Sequence, residues 1–309
     1  MMDTGHMPIR DCSQETYNLR ASLQAIDHVG SGGNAAVVRG FVNGEASQEL
    51  ALKLLDPRCV NADDREREYR KFEHANLVRI EELCNLSDLG FAHVPDWYST
   101  ILDCDPDPFV SHPVLSCSPN PCNWRQGRSD KTLDEFVPAE FFILVMEYCP
   151  VTLSEHIRHS RSMREIHRIL IEVCAGLTAM HREGIIHTDL GIENILMTNE
   201  GVTKIVDFGL SERWKEGVRN ILYNPLVAAP ELRDGEGDPR SDIYSLGLLA
   251  FQLATGKDLF EVPLTANYDF SEFNVPRRSM EICIEATEDS PELRFGTAND
   301  FSEALNKIW

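Results

Sequence analysis

Positive charge is what this chain has least of. Over 309 residues, 29 Lys and Arg stand against 50 Asp and Glu, a formal net charge of -21 at pH 7. A surface of that sign repels nucleic acid and anionic membrane and suits a basic protein better, although a solvated acidic surface with no such message is the plainer reading. Long apolar runs are also missing. The stretch FFILVM (Phe141–Met146) has the length of a strand, well short of the roughly 18 residues a membrane span requires. The opening MMDTGHMPIRDCSQE lacks the apolar core of a secretory leader. Cysteines number nine and are scattered, which speaks against a disulfide framework. The expectation is an intracellular, cytoplasmic chain with reduced thiols, no membrane span and no nucleic-acid partner. Internal repeats and coiled-coil heptads are absent too.

What is present divides unevenly. Residues 1–20 read as a polar lead-in. From Leu23 to Leu55, short apolar runs (LQAIDHVG, AAVVRGFV, LALKLL) predict three antiparallel strands with turns at GSGGN and NGEASQ. Asp63–Phe72 is charged and free of Gly and Pro, and predicts a short helix. NLVRIEEL (Asn76–Leu83) predicts a strand. Residues of about 85–138 are rich in proline and poor in periodicity, and read as an insertion. FFILVM restores order as a buried strand. Beyond it, Ile166, Ile169, Leu170, Val173, Leu177 and Met180 recur at helical spacing, with Gly184 as the stop. SDIYSLGLLAFQLATG, apolar nearly all round, predicts a buried helix that opens on a Ser–Asp cap and ends at Gly256. An α+β fold follows: one domain over 21–309, with a β-rich lobe of about 21–147, a helical lobe of about 150–309 and a cleft between them.

Several residues carry chemistry. Gly30, Gly32 and Gly33 lie between two predicted strands, where backbone N–H groups can approach phosphate oxygens, although taken alone a glycine-rich hairpin turn is their commoner explanation. Lys53 interrupts an apolar strand; it either snorkels from an edge or reaches an anion. In GIIHTDLGIENIL (Gly184–Leu196), Asp189 follows a long helix and can accept a proton from an attacking hydroxyl. Asn194 offers an amide oxygen and Asp207 a carboxylate, both suited to a hard cation. Taken singly, each could be a loop-capping residue.

Their order decides between these readings. Glycine turn, strand lysine, His187-x-Asp189-x-x-x-x-Asn194, Asp207-Phe208-Gly209, Ala229-Pro230-Glu231 and SDIYSLG follow one another from Leu23 to the end of the chain. This series resembles the eukaryotic-type protein kinase family. The resemblance implies ATP and Mg²⁺ as cofactors. Gly30, Ser31, Gly32 and Gly33, with Val37, would cover the nucleotide, and Lys53 would contact its phosphates while pairing with a helix glutamate. Glu68 is taken for that partner because Phe72, four residues on, shares its face and would pack inward; Glu66 and Glu73 are the alternatives. Glu147 to Cys149 would hold adenine with Met146 behind, and Ala51 and Leu196 would sandwich it. Asp189 would be the base, and Asn194 and Asp207 the metal ligands. Glu231 would pair with Arg294, and Asp242 would brace the catalytic loop.

The chain also departs from the family. Thr188 stands where an arginine usually receives the phosphate of the activation loop, and between Asp207 and Glu231 the only hydroxyls are Ser211 and Tyr223. Activation without loop phosphorylation is the expectation, with the loop set constitutively or by a partner acting through the insertion or the helix after Lys53. Gly191 replaces the lysine of serine/threonine kinases, a loss on the order of 2–4 kcal/mol by comparison with other single transition-state contacts. Glu193 still fits the serine/threonine pattern. Asn224 and Val227 replace a threonine and a tyrosine before Ala229, which leaves the substrate class less firmly fixed than ATP binding. In the insertion, Cys104, His112, Cys117 and Cys122 carry zinc-type donors, but a loop with incidental cysteines is the favoured reading. A serine/threonine protein kinase acting on a protein substrate, with a basic one the more compatible, leads. A pseudokinase that binds ATP or acts as a scaffold, and a small-molecule kinase, are the alternatives.

Overall fold

The computed structural model describes residues 7–8, 22–32, 35–42, 49–55, 57, 73–88, 93, 135–159, 162–208, 211–214, 223–224, 226–257, 270–273 and 275–308. Gly33, Gly209, Glu68 with its expected helix, and the four zinc-type donors of the insertion lie outside the described residues. The chain forms two units. One comprises residues 1–72 and 79–148, the other 73–78 and 149–309.

The first unit is an antiparallel sheet of six strands: β1 (Met7–Pro8), β2 (Ser22–Gly32), β3 (Ala35–Val42), β4 (Glu49–Leu55), β5 (Ile80–Asn85) and β6 (Phe142–Glu147). Their order is β1-β2-β3-β4-β6-β5. The three strands expected between Leu23 and Leu55 are β2, β3 and β4, but the first turn is shorter than GSGGN. Gly30, Ser31 and Gly32 still pair with Val37, Ala36 and Ala35, so the β2–β3 hairpin closes only after Gly32. Glycine and serine tolerate extended backbone, and pairing with the two alanines extends the ladder past the point where glycine content suggests a turn. β4 is buried at every position after Glu49. β5 alternates buried and half-buried residues, as a strand covered on one face should. Fully buried Phe141, Leu52, Leu54 and Ile143 mark the core of this unit.

NLVRIEEL is not one strand. Only its second half, from Ile80, pairs with β6. Asn76–Val78 belongs to the other unit, where the Val78 N–H donates to Ile205 O and the Ile205 N–H to Asn76 O, both at 2.9 Å. The Asn76 amide adds a bond to Thr203 O at 3.0 Å. Leu77 and Val78 are buried as strand residues would be, but against a partner more than a hundred residues away, which local periodicity cannot reveal.

The second unit is mainly helical: α1 (Leu153–His159), α2 (Met163–Arg182), α3 (Pro239–Thr255), α4 (Arg277–Ala286) and α5 (Ala298–Asn306). Short strands β7 (Val151–Thr152), β9 (Ile195–Met197) and β10 (Thr203–Ile205) form one ribbon, and β8 (Ile185–Ile186) pairs with β11 (Glu212–Arg213) in another. α2 buries the six apolar residues of its periodic face. Gly184, just past it, has φ 80°, a conformation that favours glycine. α3 starts earlier than its sequence suggests. Its cap is Asp238, which accepts from the Arg240 N–H at 2.7 Å with Pro239 in the first turn. Ser241 and Asp242 therefore lie inside the helix and are buried: Ser241 Oγ accepts from the Asp238 N–H at 3.3 Å, closing a capping box, and donates to Glu231 at 2.7 Å, while the Asp242 carboxylate bonds to His181 and His187.

Candidate active site

In the first unit the sheet register places the expected nucleotide residues side by side. Gly30 pairs with Val37, Val37 with Lys53, and Lys53 with Leu144. Ala51, two residues before Lys53 and so on the same face of β4, pairs with Met146. Lys53 is 7% exposed, which excludes simple snorkelling into solvent. Glu147 ends β6. Its carboxylate accepts from the Arg79 N–H at 2.6 Å and its own N–H donates to Arg79 O at 3.0 Å, which fixes the chain entering Tyr148.

The second unit holds the other set. Leu196 lies mid-strand in β9, opposite Thr152 and Lys204, and Cys149 is buried. Asp189 follows β8 and is held by its neighbours. The Asn194 Nδ2 donates to Asp189 O at 2.8 Å and to Asp189 Oδ2 at 2.9 Å. Both amide hydrogens are thereby engaged, so Asn194 Oδ1 is the atom that can face a cation. Asn194 O accepts from the Val206 N–H at 3.0 Å, which ties the metal-ligand candidates Asn194 and Asp207 together. Asp207 has φ 62°, a left-handed backbone uncommon outside glycine. His187 Nε2 meets Val206 O at 3.1 Å; a carbonyl only accepts, so Nε2 carries the proton and Nδ1 accepts the Asp189 N–H at 3.3 Å. Phe208 is buried, its ring edge-on to His187 at 6.0 Å between centroids.

The electrostatics follow from this crowding. Desolvation, and then the Asp207 charge, push the Asp189 carboxyl above its ordinary value; His187 and hydrogen bonds from Asn224 and Asn194 oppose them. Asp242 behaves oppositely. Burial opposes its ionisation, yet the His181 hydrogen bond and charge, and the His187 backbone N–H, hold its pKa below the usual range. Asp242 Oδ2 accepts from the His187 N–H at 2.8 Å and from His181 Nε2 at 2.7 Å, and Oδ1 from the Thr188 N–H at 3.0 Å. The brace expected from α3 is thus present, and Thr188 is held at φ 64° with its side chain buried. The Glu231–Arg294 pair is bidentate, at 2.8 and 2.9 Å. The remaining Arg294 donors go to Glu288 O, Arg240 O and Asp289 O.

Two contacts were not legible. His181 gives no sequence sign of its bond to Asp242, 61 residues on. Asn224, which the sequence marks only as a departure, hydrogen-bonds Asp189. Among the described residues no cluster of His, Cys, Asp and Glu can hold a metal by itself, and no helix is long and apolar enough to cross a membrane.

Known proteins give the same picture. The chain is 40% identical to serine/threonine-protein kinase PknL of Mycobacterium tuberculosis over 123 residues, 37% of this chain and 30% of that protein. It is 34% identical to serine/threonine-protein kinase PLK4 of Nematostella vectensis over 277 residues, 86% of this chain and 23% of that one. With serine/threonine-protein kinase Tao of Drosophila melanogaster, identity is 37% over 121 residues, 37% of this chain and 12% of that protein. The chain thus matches less than a third of the length of each of these relatives. The family model described as protein kinase domain matches residues 131–307. That span takes in the Asp189–Asn194 loop, Asp207, the Asp242 brace and the Glu231–Arg294 pair, and by it the chain belongs to the protein kinase family.

Proposed function

We propose that this chain transfers the γ-phosphate of ATP to a serine or threonine hydroxyl of a protein, with Asp189 as the base. The observation that carries the reading is the Asp189–Asn194–Asp207 arrangement. A raised carboxyl is bonded to an amide whose free oxygen, together with a second carboxylate, makes a hard-oxygen donor set. That set fits Mg²⁺, with Asn194 and Asp207 as its protein ligands. Bound there with ATP, Mg²⁺ would neutralise charge on the transferred phosphoryl oxygens. In the step itself the acceptor oxygen bonds to the γ-phosphorus, the bond to the β-phosphate oxygen breaks, ADP leaves, and the hydroxyl proton passes to the Asp189 carboxylate. Gly30, Ser31, Gly32, Gly33, Val37 and Ala51 are assigned to the nucleotide. Lys53 is assigned to its phosphates with Glu68 as partner, Glu147 and Cys149 to adenine, and Leu196 to the other ring face.

The loop after Asp207 acts without phosphorylation in this reading. Its support is burial. Ser211 is fully buried, its Oγ bonded to His187 O at 3.4 Å. Tyr223 packs against Ala228, Ala229 and Leu232. Thr188 carries no charge to receive a phosphate.

The test is transfer from γ-labelled ATP with Mg²⁺ to a basic protein acceptor, beside Asp189→Asn and Lys53→Met and after phosphatase treatment. Transfer lost in both variants and unchanged by phosphatase is the expected result. ATP-dependent stabilisation without transfer would instead indicate a nucleotide-binding module, and loss of transfer on phosphatase treatment would remove the unphosphorylated-loop reading.

A further inference from the structure

The loop that carries the base has no lysine or arginine of its own. Between Arg182 and Lys204 the charged residues, His187 aside, are Glu183, Asp189, Glu193 and Glu200, all acidic. Lys204 is buried, its Nζ donating to Leu77 O at 3.4 Å, and Lys53, assigned to ATP, belongs to the other unit. A phosphoryl group in transfer adds negative charge beside the carboxylates of Asp189 and Asp207, and a cation on the acceptor side would offset that crowding.

The backbone leaves a place for one. Burial alternates here: Leu190 is fully buried, while Asp189 and Gly191 on either side of it are half-buried. Position 191, with extended backbone, therefore lies on the same side of the chain as Asp189 and about 7 Å along it. The Asn194 N–H donates to Gly191 O at 3.1 Å, which turns the loop back so that Asn194 reaches Asp189 Oδ2. Among the described residues, a Cβ built at 191 would meet one atom within 4 Å, Val227 Cγ1 at 3.6 Å. Val227 is itself fixed, its carbonyl accepting from Ser245 Oγ at 2.7 Å and its N–H donating to Asn224 O at 3.2 Å. The space beside the base thus has an apolar wall and no cation from its own loop.

We propose that the acceptor protein supplies the cation. A lysine or arginine flanking the phosphorylated serine or threonine enters the space at Gly191, lays its methylenes along Val227 and sets its charge beside the phosphoryl oxygens. This inference rests on the phosphotransfer reading and names its acceptor class. Bonds form and break as given for that reading; the cation makes no covalent bond and exchanges no proton. A contact of this kind strengthens in the transition state and acts on kcat, whereas attraction to the acidic surface acts on KM.

Three serine peptides of one length test it on the full chain. One has arginine next to the serine. Its isomer carries that arginine at the far end and so has the same net charge. In the last, citrulline replaces the adjacent arginine, keeping its shape without its charge. Expected is a kcat for the adjacent arginine above both others, on the order of 100-fold, with similar KM for the two isomers. Gly191→Lys should raise kcat on the other two peptides and flatten the difference; Gly191→Ala, whose Cβ fits at ordinary contact distance, should preserve it. Equal kcat for the two isomers in the wild type, or a preference that survives in Gly191→Lys, overturns the inference and leaves the phosphotransfer reading intact. Transfer by Gly191→Lys alone has the same meaning. No transfer to any peptide by either protein overturns both.

Discussion

At the scale of single residues, the site concentrates cost where chemistry needs it. Desolvation and Asp207 raise the Asp189 carboxyl, so its charged form is disfavoured in the folded chain. The sign follows: the penalty is absent below the unfolded aspartate value, about pH 3.9, grows as pH rises past it, and is complete above the raised folded value. Asp189→Asn should therefore raise Tm at pH 7 in metal-free buffer and lose that advantage as pH approaches 4. A scan of Tm against pH checks this, and an unchanged or lower Tm at pH 7 would refute it. Arg294 is the opposite case. Its guanidinium spends every N–H on Glu231 and three carbonyls and lies 5.0 Å over the Tyr244 ring. Arg294→Ala leaves Glu231 in a partly buried place without its cation, and should cost about 3–5 kcal/mol in denaturant unfolding. Gly191 differs from both. Its φ of -146° is extended backbone open to any side chain, and a Cβ there meets ordinary van der Waals distance. On the proposed function, Gly191→Lys should fold normally and raise kcat, since it would supply a cation beside the transferred phosphate.

At the scale of elements, the contact between α3 and α4 in the second unit is set by small residues. A Cβ at Gly247 would lie 2.6 Å from Ala286 Cβ and 2.9 Å from Thr287 Cγ2, so α3 and α4 approach through that glycine. Gly247→Ala should push them apart at about 1–3 kcal/mol, read as a lower urea midpoint, and leave the Asp242 brace on the opposite side to be tested by retained transfer. The elements also show what the sequence could convey. α2 was legible because its apolar residues follow a local period, β4 because it is a short continuous apolar run, and the Asp189–Asn194 pairing because its spacing is local too. Asn76–Val78 was misread as strand continuous with Ile80, since its hydrogen bonds run to Ile205 and Thr203. The start of α3 was misplaced at Ser241 because a buried Ser–Asp pair and a cap look alike until the partners of Asp242 are known. The Asn224 contact lay hidden for the same reason: it joins residues near only in the fold.

At the scale of the whole molecule, the charge of -21 acts on whatever approaches. Fields from exposed carboxylates extend about 10 Å at 0.1 M salt and about 3 Å at 1 M. They change how often a charged acceptor arrives more than how it reacts once bound. For a basic acceptor protein, kcat/KM should therefore fall steeply as NaCl rises from about 0.05 to 0.5 M, mainly through KM, with kcat nearly constant. An uncharged acceptor peptide measured alongside should show little change, which separates steering of the acceptor from an effect of salt on ATP or on the fold. The two arms together decide whether the acidic surface selects the acceptor. Parallel curves for both acceptors would assign the net charge to solvation alone and withdraw the preference for basic substrates, while divergent curves would make that surface part of substrate recognition.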